Sequence, residues 1–251
     1  MSLRMLAYLR GIVNTTCFPS VFLPVPPLFF LAPRVCLRYT ISMVITYYGG
    51  QFFKVQQGDL VLAYNPAKET PEGAARGTRF GADIALVSTN HPRFNGIENV
   101  TYGEKAPFAI TGPGEYETKG VYIRGLETPT NYDGAARLNT VYYVLIEGMY
   151  LCFLGAVTTP KLGENVYEAI SDVDILFVPV GGEGMISPAE AHKLSLSFSP
   201  RMIIPMYDDT TALKHFLKEA GRESAKAEEK LTLKKKDLEG KEGDVAVLKI
   251  S

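Results

Sequence analysis

His91 is the histidine of this chain best placed to do chemistry, because an apolar run, Ala82 to Val87, leads straight into the loop that carries it: Ser88-Thr89-Asn90-His91-Pro92-Arg93-Phe94-Asn95-Gly96. A histidine at a strand end can ligate a metal or move a proton, but either role needs further ligands or an orienting acid at close range. The loop supplies none. Two acids, Asp208 and Asp209, follow the apolar run Arg201 to Met206, at a strand end of the kind where α/β sites form. The plainer reading is that Asp209 or Thr210 caps the helix that follows. Glu115 and Glu117 fall on one face of a strand, as paired catalytic carboxylates would, or as exposed acids after the Pro113-Gly114 turn. His91, Asp208 and Glu115 are thus the weak catalytic candidates, each with a structural explanation beside it. His192 and His215 lie on helical segments and read as ordinary surface or half-buried histidines.

Other schemes find less support. Ser88 and Thr89 neighbour His91, but no Gly-x-Ser-x-Gly elbow and no orienting acid accompany them. Cys152 lies inside an apolar strand, where a thiol is packing material. Gly181-Gly182-Glu183-Gly184 precedes a helix and could present amides to an anion, yet it lacks the Lys-Ser/Thr of a phosphate-binding loop. Lys234-Lys235-Lys236 is a short basic run among acids, without interleaved aromatics, and reads as a solvated face.

The elements that must position these residues are those of a globular chain. Its 251 residues are 46% hydrophobic and 21% charged, which excludes wholesale disorder. A net charge of −1 gives no global field toward nucleic acid or anionic membrane. Three scattered cysteines exclude a disulfide framework, and a reducing cytoplasm is the expected compartment. Residues 1–42 differ in composition: the first acid is Asp59, while Arg4, Arg10, Arg34 and Arg38 are basic. Gly11 to Pro33 is uncharged, but Pro19, Pro24, Pro26, Pro27 and Pro33 would interrupt a spanning helix. This leader is expected outside the fold, as upstream sequence read from an early start; a membrane anchor and an ordered extension are its alternatives. No membrane association is expected unless the leader is an anchor.

From Met43 the chain reads as a meander: Val44 to Tyr48, Gln51 to Val55 and Leu60 to Tyr64, joined by Gly49-Gly50 and a Gln57-Gly58-Asp59 turn. Asn65 to Thr78 reads as loop. Strands follow at Ile84 to Val87, Phe108 to Thr111, Gly120 to Ile123, Thr140 to Ile146 and Tyr150 to Leu154, mostly antiparallel. After Leu154 helices alternate with apolar strands: helix from Glu164 to Ser171, strand from Asp174 to Val180, helix from Ser187, strand from Arg201 to Met206, helix from Thr210 to Ala220. Ser187-Pro188-Ala189-Glu190 combines a cap, a first-turn proline and a capping box. Residues Arg222 to Glu242 are charged apart from Leu231-Thr232-Leu233, before a terminal strand at Val245 to Ile250. This order predicts a layered α/β protein with helices outside a sheet sandwich.

The segment from 43 to about 208 resembles the metallo-β-lactamase superfamily, in particular its small bacterial zinc hydrolases and sugar-phosphate lactonases. Tyr47-Tyr48-Gly49-Gly50-Gln51-Phe52-Phe53-Lys54-Val55 is similar to their first hairpin, and Asn65-Pro66 stands at their Asp-Pro. The loop after Val87 stands at their Thr/Ser-His-x-His-x-Asp-His, with Thr89, Arg93 and Phe94 at the positions of His, Asp and His. Gly155-Ala156-Val157 matches their Gly-Asp-Thr, Pro179 to Met185 their Pro-x-Gly-Gly-x-x-x-Met, and Pro205-Met206-Tyr207 their Pro-Met-His.

The resemblance implies an αββα sandwich over residues 43–251 and, in the family, a dinuclear zinc centre. At the matched positions this chain carries Thr89, His91, Arg93, Phe94, Ala156 and Tyr207, of which only His91 is a usual ligand type. The expectation is therefore a hydrolase-like protein that has lost its metal centre and binds rather than cleaves, with no metal ligands and no cofactor. Its pocket would be bordered by Thr89, His91, Arg93, Phe94, Ala156, Glu183 and Tyr207, with Arg93 and Tyr207 offering donors to a small anionic ligand. The alternatives are a divergent hydrolase with a rebuilt or single zinc site, using His91, Asp208 and Glu115, and a structural or partner-binding subunit. Nucleic acid is not expected as a partner, and an oligomer is left open.

Overall fold

The computed structural model describes residues 42–68, 80–182 and 184–251. Apart from Ser42, the leader lies outside the described residues, as does Glu183. The chain begins with a meander of β1 (Met43–Tyr47), β2 (Phe53–Gln57) and β3 (Leu60–Tyr64), then β4 (Ile84–Leu86) and β5 (Phe108–Ile110). A long antiparallel run follows: β6 (Gly114–Thr118), β7 (Val121–Thr130), β8 (Arg137–Ile146) and β9 (Met149–Phe153). Next come α1 (Glu164–Ala169), β10 (Ile175–Pro179), α2 (Pro188–Leu196), β11 (Met202–Met206) and α3 (Thr210–Glu219). Four short strands close the chain: β12 (Ala227–Glu228), β13 (Leu231–Leu233), β14 (Asp244–Val245) and β15 (Val247–Leu248).

These strands form two sheets, in the orders β13-β1-β2-β3-β4-β5 and β14-β11-β10-β9-β8-β7-β6, with β12 and β15 as a separate pair. The α/β sandwich expected from the sequence is what the chain forms. Alternating burial along β1 and β2 turns one face of each inward, whereas β10 and β11 are buried at every residue, as parallel strands covered on both sides must be. Between the sheets an aromatic stack runs from Tyr47 to Phe53 (4.6 Å), Phe177 (5.1 Å), Phe153 (4.1 Å) and Tyr64 (4.2 Å). The apolar faces of α2 and α3, with Ala191, Leu194, Leu213, Phe216 and Leu217, belong to the same core. Phe80, Ala82 and Val100 cover Phe52, Val61 and Ala63 in a second cluster. Among the described residues no helix is long and apolar enough to cross a membrane.

The helix starts follow the local rules. Ser187 and Glu190 form the reciprocal capping box of α2, and both Asp209 carboxylate oxygens accept from the first-turn amides of α3. Leu231-Thr232-Leu233, the apolar break in the charged tail, becomes β13 and extends the first sheet beyond β1, burying both leucines. Two expectations were too short. β7 runs to Thr130 rather than Ile123, and β8 starts at Arg137 rather than Thr140. Pro129 is tolerated because β6 pairs β7 only as far as Gly125, so beyond that residue β7 has a neighbour on one side alone. β5 pairs parallel with β4, and that ladder places Thr111 beside the His91 loop.

One buried acid links the two sheets' margins. Asp83 accepts from Val61 N (2.8 Å), Lys119 (2.6 Å) and Lys105 (3.0 Å). Burial alone would raise its pKa, but these donors outweigh it and hold the carboxyl below its ordinary value of 3.8. A depressed folded pKa means stability that is fully present above the unfolded value and is lost as pH falls through the folded one. Urea unfolding between roughly pH 2 and 6 should therefore show an acid-side loss. In Lys119→Met this slope should flatten; an unchanged slope would mean that Val61 N and Lys105 hold the Asp83 carboxylate without Lys119.

Candidate functional site

Beneath the His91 loop lies a network of neutral amides and hydroxyls. Asn65, which follows β3, receives the Ser88 amide on Oδ1 (2.8 Å) and donates Nδ2 to Ser88 Oγ (2.9 Å) and Gln51 Oε1 (2.9 Å). Gln51 passes its own donor to Gly155 O (3.1 Å). Asn139, on β8, accepts from Ala156 N (2.8 Å) and donates to Thr128 Oγ1 (2.9 Å) and Leu154 O (3.0 Å). Thr89 Oγ1 donates to Leu138 O (3.1 Å), with Asn139 Oδ1 at 3.4 Å. Gln51, Asn65, Ser88, Thr89 and Asn139 are all buried, and each is partnered, so the network costs little and fixes the loop firmly.

Above it the strand ends are filled by side chains. Phe94, Tyr132 and Ala156 form a small buried cluster, with Met185 packed against it. His91 stands edge-on to the Tyr132 ring at 5.0 Å. Its Nδ1 accepts from Arg93 N (3.2 Å) and its Nε2 faces Asp133 Oδ2 at 3.5 Å. Arg93 reaches across to Asp208 with Nη2 to Oδ1 at 2.6 Å. Burial opposes the charge on Arg93, yet Asp208 first and then Tyr132 raise its pKa. The Tyr132 hydroxyl is pushed up by burial, an effect that Arg93 partly offsets. Gly50 has φ +59, and a Cβ there would lie 3.2 Å from Asp208 Oδ1, so the turn after β1 leaves room for the ion pair.

The structure brings His91, Arg93 and Phe94 around Tyr132 and joins Arg93 to Asp208. Ala156 packs with Phe94 and Tyr132, whereas Glu115 and the Tyr207 hydroxyl are placed elsewhere. Glu115 lies on exposed β6, paired with Arg124 at 2.6 Å. Among the described residues, no three His, Cys, Asp or Glu side chains are placed to hold a metal ion together, so His91, Asp208 and Glu115 do not converge. The expected donor on Tyr207 is corrected as well: its hydroxyl turns inward and donates to Leu248 O (2.7 Å), because the ring packs on Tyr47 at 5.3 Å. The Tyr47 hydroxyl in turn holds the Tyr207 backbone, bonding its carbonyl and accepting from its N–H (3.2 Å). Cys152 is buried and its thiol pKa pushed up by burial. His192 stands edge-on to Phe216.

Sequence reasoning missed Gln51, Tyr132, Asp133 and Asn139. Asn131-Tyr132-Asp133-Gly134 carries a turn signal, and Asp133 does take φ 56, but only the β7–β8 pairing folds that turn back over Phe94. Asn139 had no signal, since a polar residue inside an apolar strand is conspicuous only once its partners are known.

This two-sheet fold, with a degenerate loop after β4, defines the class. The chain belongs to the metallo-β-lactamase superfamily: residues 44–207 match the model of the β-lactamase superfamily domain. A protein from Thermotoga maritima, named as a Zn-dependent hydrolase of this superfamily, is 28% identical with a TM-score of 0.64 over 82% of this chain and 98% of that one. A protein from Parabacteroides distasonis named as a metal-dependent hydrolase (17% identical, TM-score 0.59, 83% and 94% covered) shares the fold. So does the metallo hydrolase Igni18 from Ignicoccus hospitalis (16%, 0.58, 77% and 99%). Comparison with curated proteins gave no match.

Proposed function

We propose that this chain is a metal-independent binding protein on the hydrolase scaffold, a pseudoenzyme whose strand-end face holds a small anionic ligand. The observation that carries the metal-independent part of this reading is the Arg93–Asp208 ion pair beside the Phe94, Tyr132 and Ala156 cluster. A dinuclear centre needs several N, O or S ligands, and these residues do not fit it: Phe94 and Ala156 offer no ligand atom, and Tyr207 turns away. A guanidinium about 4 Å from a unit cation costs on the order of 4 kcal/mol near a protein surface, and roughly double for a divalent ion. Of the two acids at this end, Asp208 is already matched to Arg93 and Asp133 faces His91 at 3.5 Å. The near-neutral charge supports the absence of a nucleic-acid partner, and the three scattered cysteines support a reducing cytoplasm.

Elemental analysis of the purified protein tests the reading. Zinc, manganese and iron are expected well below one equivalent, and neither added zinc nor a chelator should shift the melting temperature. Stoichiometric metal that disappears in His91→Ala would overturn it in favour of a rebuilt single-metal site.

A further inference from the structure

Beside the His91 loop lies a cleft of about 270 Å³ lined by Ser88, Thr89, Asn90, Thr111, Arg137 and Leu138. We propose that this cleft is the ligand seat and takes a small oxyanion, a carboxylate or phosphate, against the guanidinium of Arg137. The proposal deepens the binding-protein reading and rests on it for its purpose.

Charge accounting singles out Arg137. Arg93, Arg124, Arg201 and Arg222 each hold a carboxylate, at 2.6, 2.6, 2.6 and 3.1 Å. Among the described residues Arg137 has no carboxylate; its one hydrogen bond runs from Nη1 to Asn90 O at 3.2 Å. Its Nε is shut off from solvent with no acceptor among the described residues. A guanidinium with so few acceptors is costly to hold, and a ligand oxygen drawn against it would add a charge-assisted partner beside its bond to Asn90 O. Among the described residues no acid lines the cleft, and the other lining groups are hydroxyls, an amide and Leu138. Arg93, the cation expected to meet an anion, is instead neutralised by Asp208. The position of Arg137 is set by the sheet: it opens β8 opposite Thr130, and the Thr140 amide bonds Ser88 O (2.8 Å), which holds the β8 start against the loop. The cleft's volume suits an acid or phosphate of a few heavy atoms and is too small for a cofactor-sized molecule.

Calorimetric titration of the full chain with acetate and, separately, with inorganic phosphate tests the seat. Saturable binding of at least one is expected; acetate alone identifies a carboxylate seat, phosphate alone a phosphoryl seat, and both a general oxyanion seat. Arg137→Ala should weaken binding by about tenfold or more, while Arg137→Lys, which keeps the charge but loses the fork, should fall between. Arg124→Ala, a cation lost from the β6–β7 surface, should bind as the parent does. Melting temperatures without anion check that each variant is folded. No saturation with either probe, equal affinity in Arg137→Ala, or equal weakening in Arg124→Ala would overturn the proposal. These outcomes are separate from the metal analysis: stoichiometric zinc would remove the pseudoenzyme reading and leave the Arg137 result standing.

Discussion

Asn139→Ala is expected to destabilise the protein by about 3 kcal/mol or more, among the largest losses from a single side chain in this fold. Asn139 is completely buried and serves Ala156 N, Leu154 O, Thr128 Oγ1 and Thr89 Oγ1 at once. Truncation leaves Ala156 N and Leu154 O without their partner in the interior, at about 1–3 kcal/mol for each group that finds no replacement, while the Thr89 and Thr128 hydroxyls keep their bonds to Leu138 O (3.1 Å) and the Asn139 carbonyl (3.3 Å). A cavity adds to this, although incoming water could recover part of the loss. Asn139→Asp should also destabilise, since it removes both Nδ2 donor bonds and places a charge there. Urea unfolding followed by circular dichroism reads the change; a loss under about 1 kcal/mol would mean that the network is loosely coupled.

Gly155→Ala is the second large effect, at about 2–4 kcal/mol, and it acts on the same residue from the other side. Gly155 has φ +74, a left-handed conformation that costs a side chain about 1–2 kcal/mol. Its added Cβ would lie 2.3 Å from Asn139 Oδ1 and 2.8 Å from Ser88 Cβ, closer than real contacts allow. Something must move, and Asn139 is pinned by its hydrogen bonds. The two substitutions should therefore not add: the double variant lacks the amide that the new methyl strikes, and should be more stable than the sum of the single losses by about 1 kcal/mol. Additivity within about 0.5 kcal/mol would show that the cost of Gly155→Ala comes from backbone strain and the Ser88 contact rather than from Asn139.

Much of the scaffold is legible in the sequence. The meander, the fully apolar strands β10 and β11, the Ser187 capping box and the amphipathic α3 follow from short-range patterns, and these are what local physics controls. The reach of β7 was not legible, because Gly125 and Pro129 interrupt its pattern and only the one-sided pairing beyond Gly125 makes Pro129 acceptable. The candidate site was legible in part. His91, Arg93 and Asp208 were singled out, and Asp209 was read as a cap, but the pairing of Arg93 with Asp208 spans 115 residues. No spacing rule reaches that far.

By itself, the sequence determined the family scaffold and the residue types at the strand ends: Thr89, Arg93, Phe94, Ala156 and Tyr207 stand where the resembled hydrolases carry metal ligands. Side-chain chemistry is a property of the residue, so Phe94 and Ala156 cannot become ligands in any fold. Tertiary structure alone decided what those residues do instead. It turned Tyr207 inward to Leu248, closed Tyr132 over Phe94, gave Arg93 its counterion and left Arg137 without one among the described residues. Each outcome depends on groups far apart in the chain meeting at a few ångströms. Direction, burial and charge balance are set by that meeting, and not by residue type.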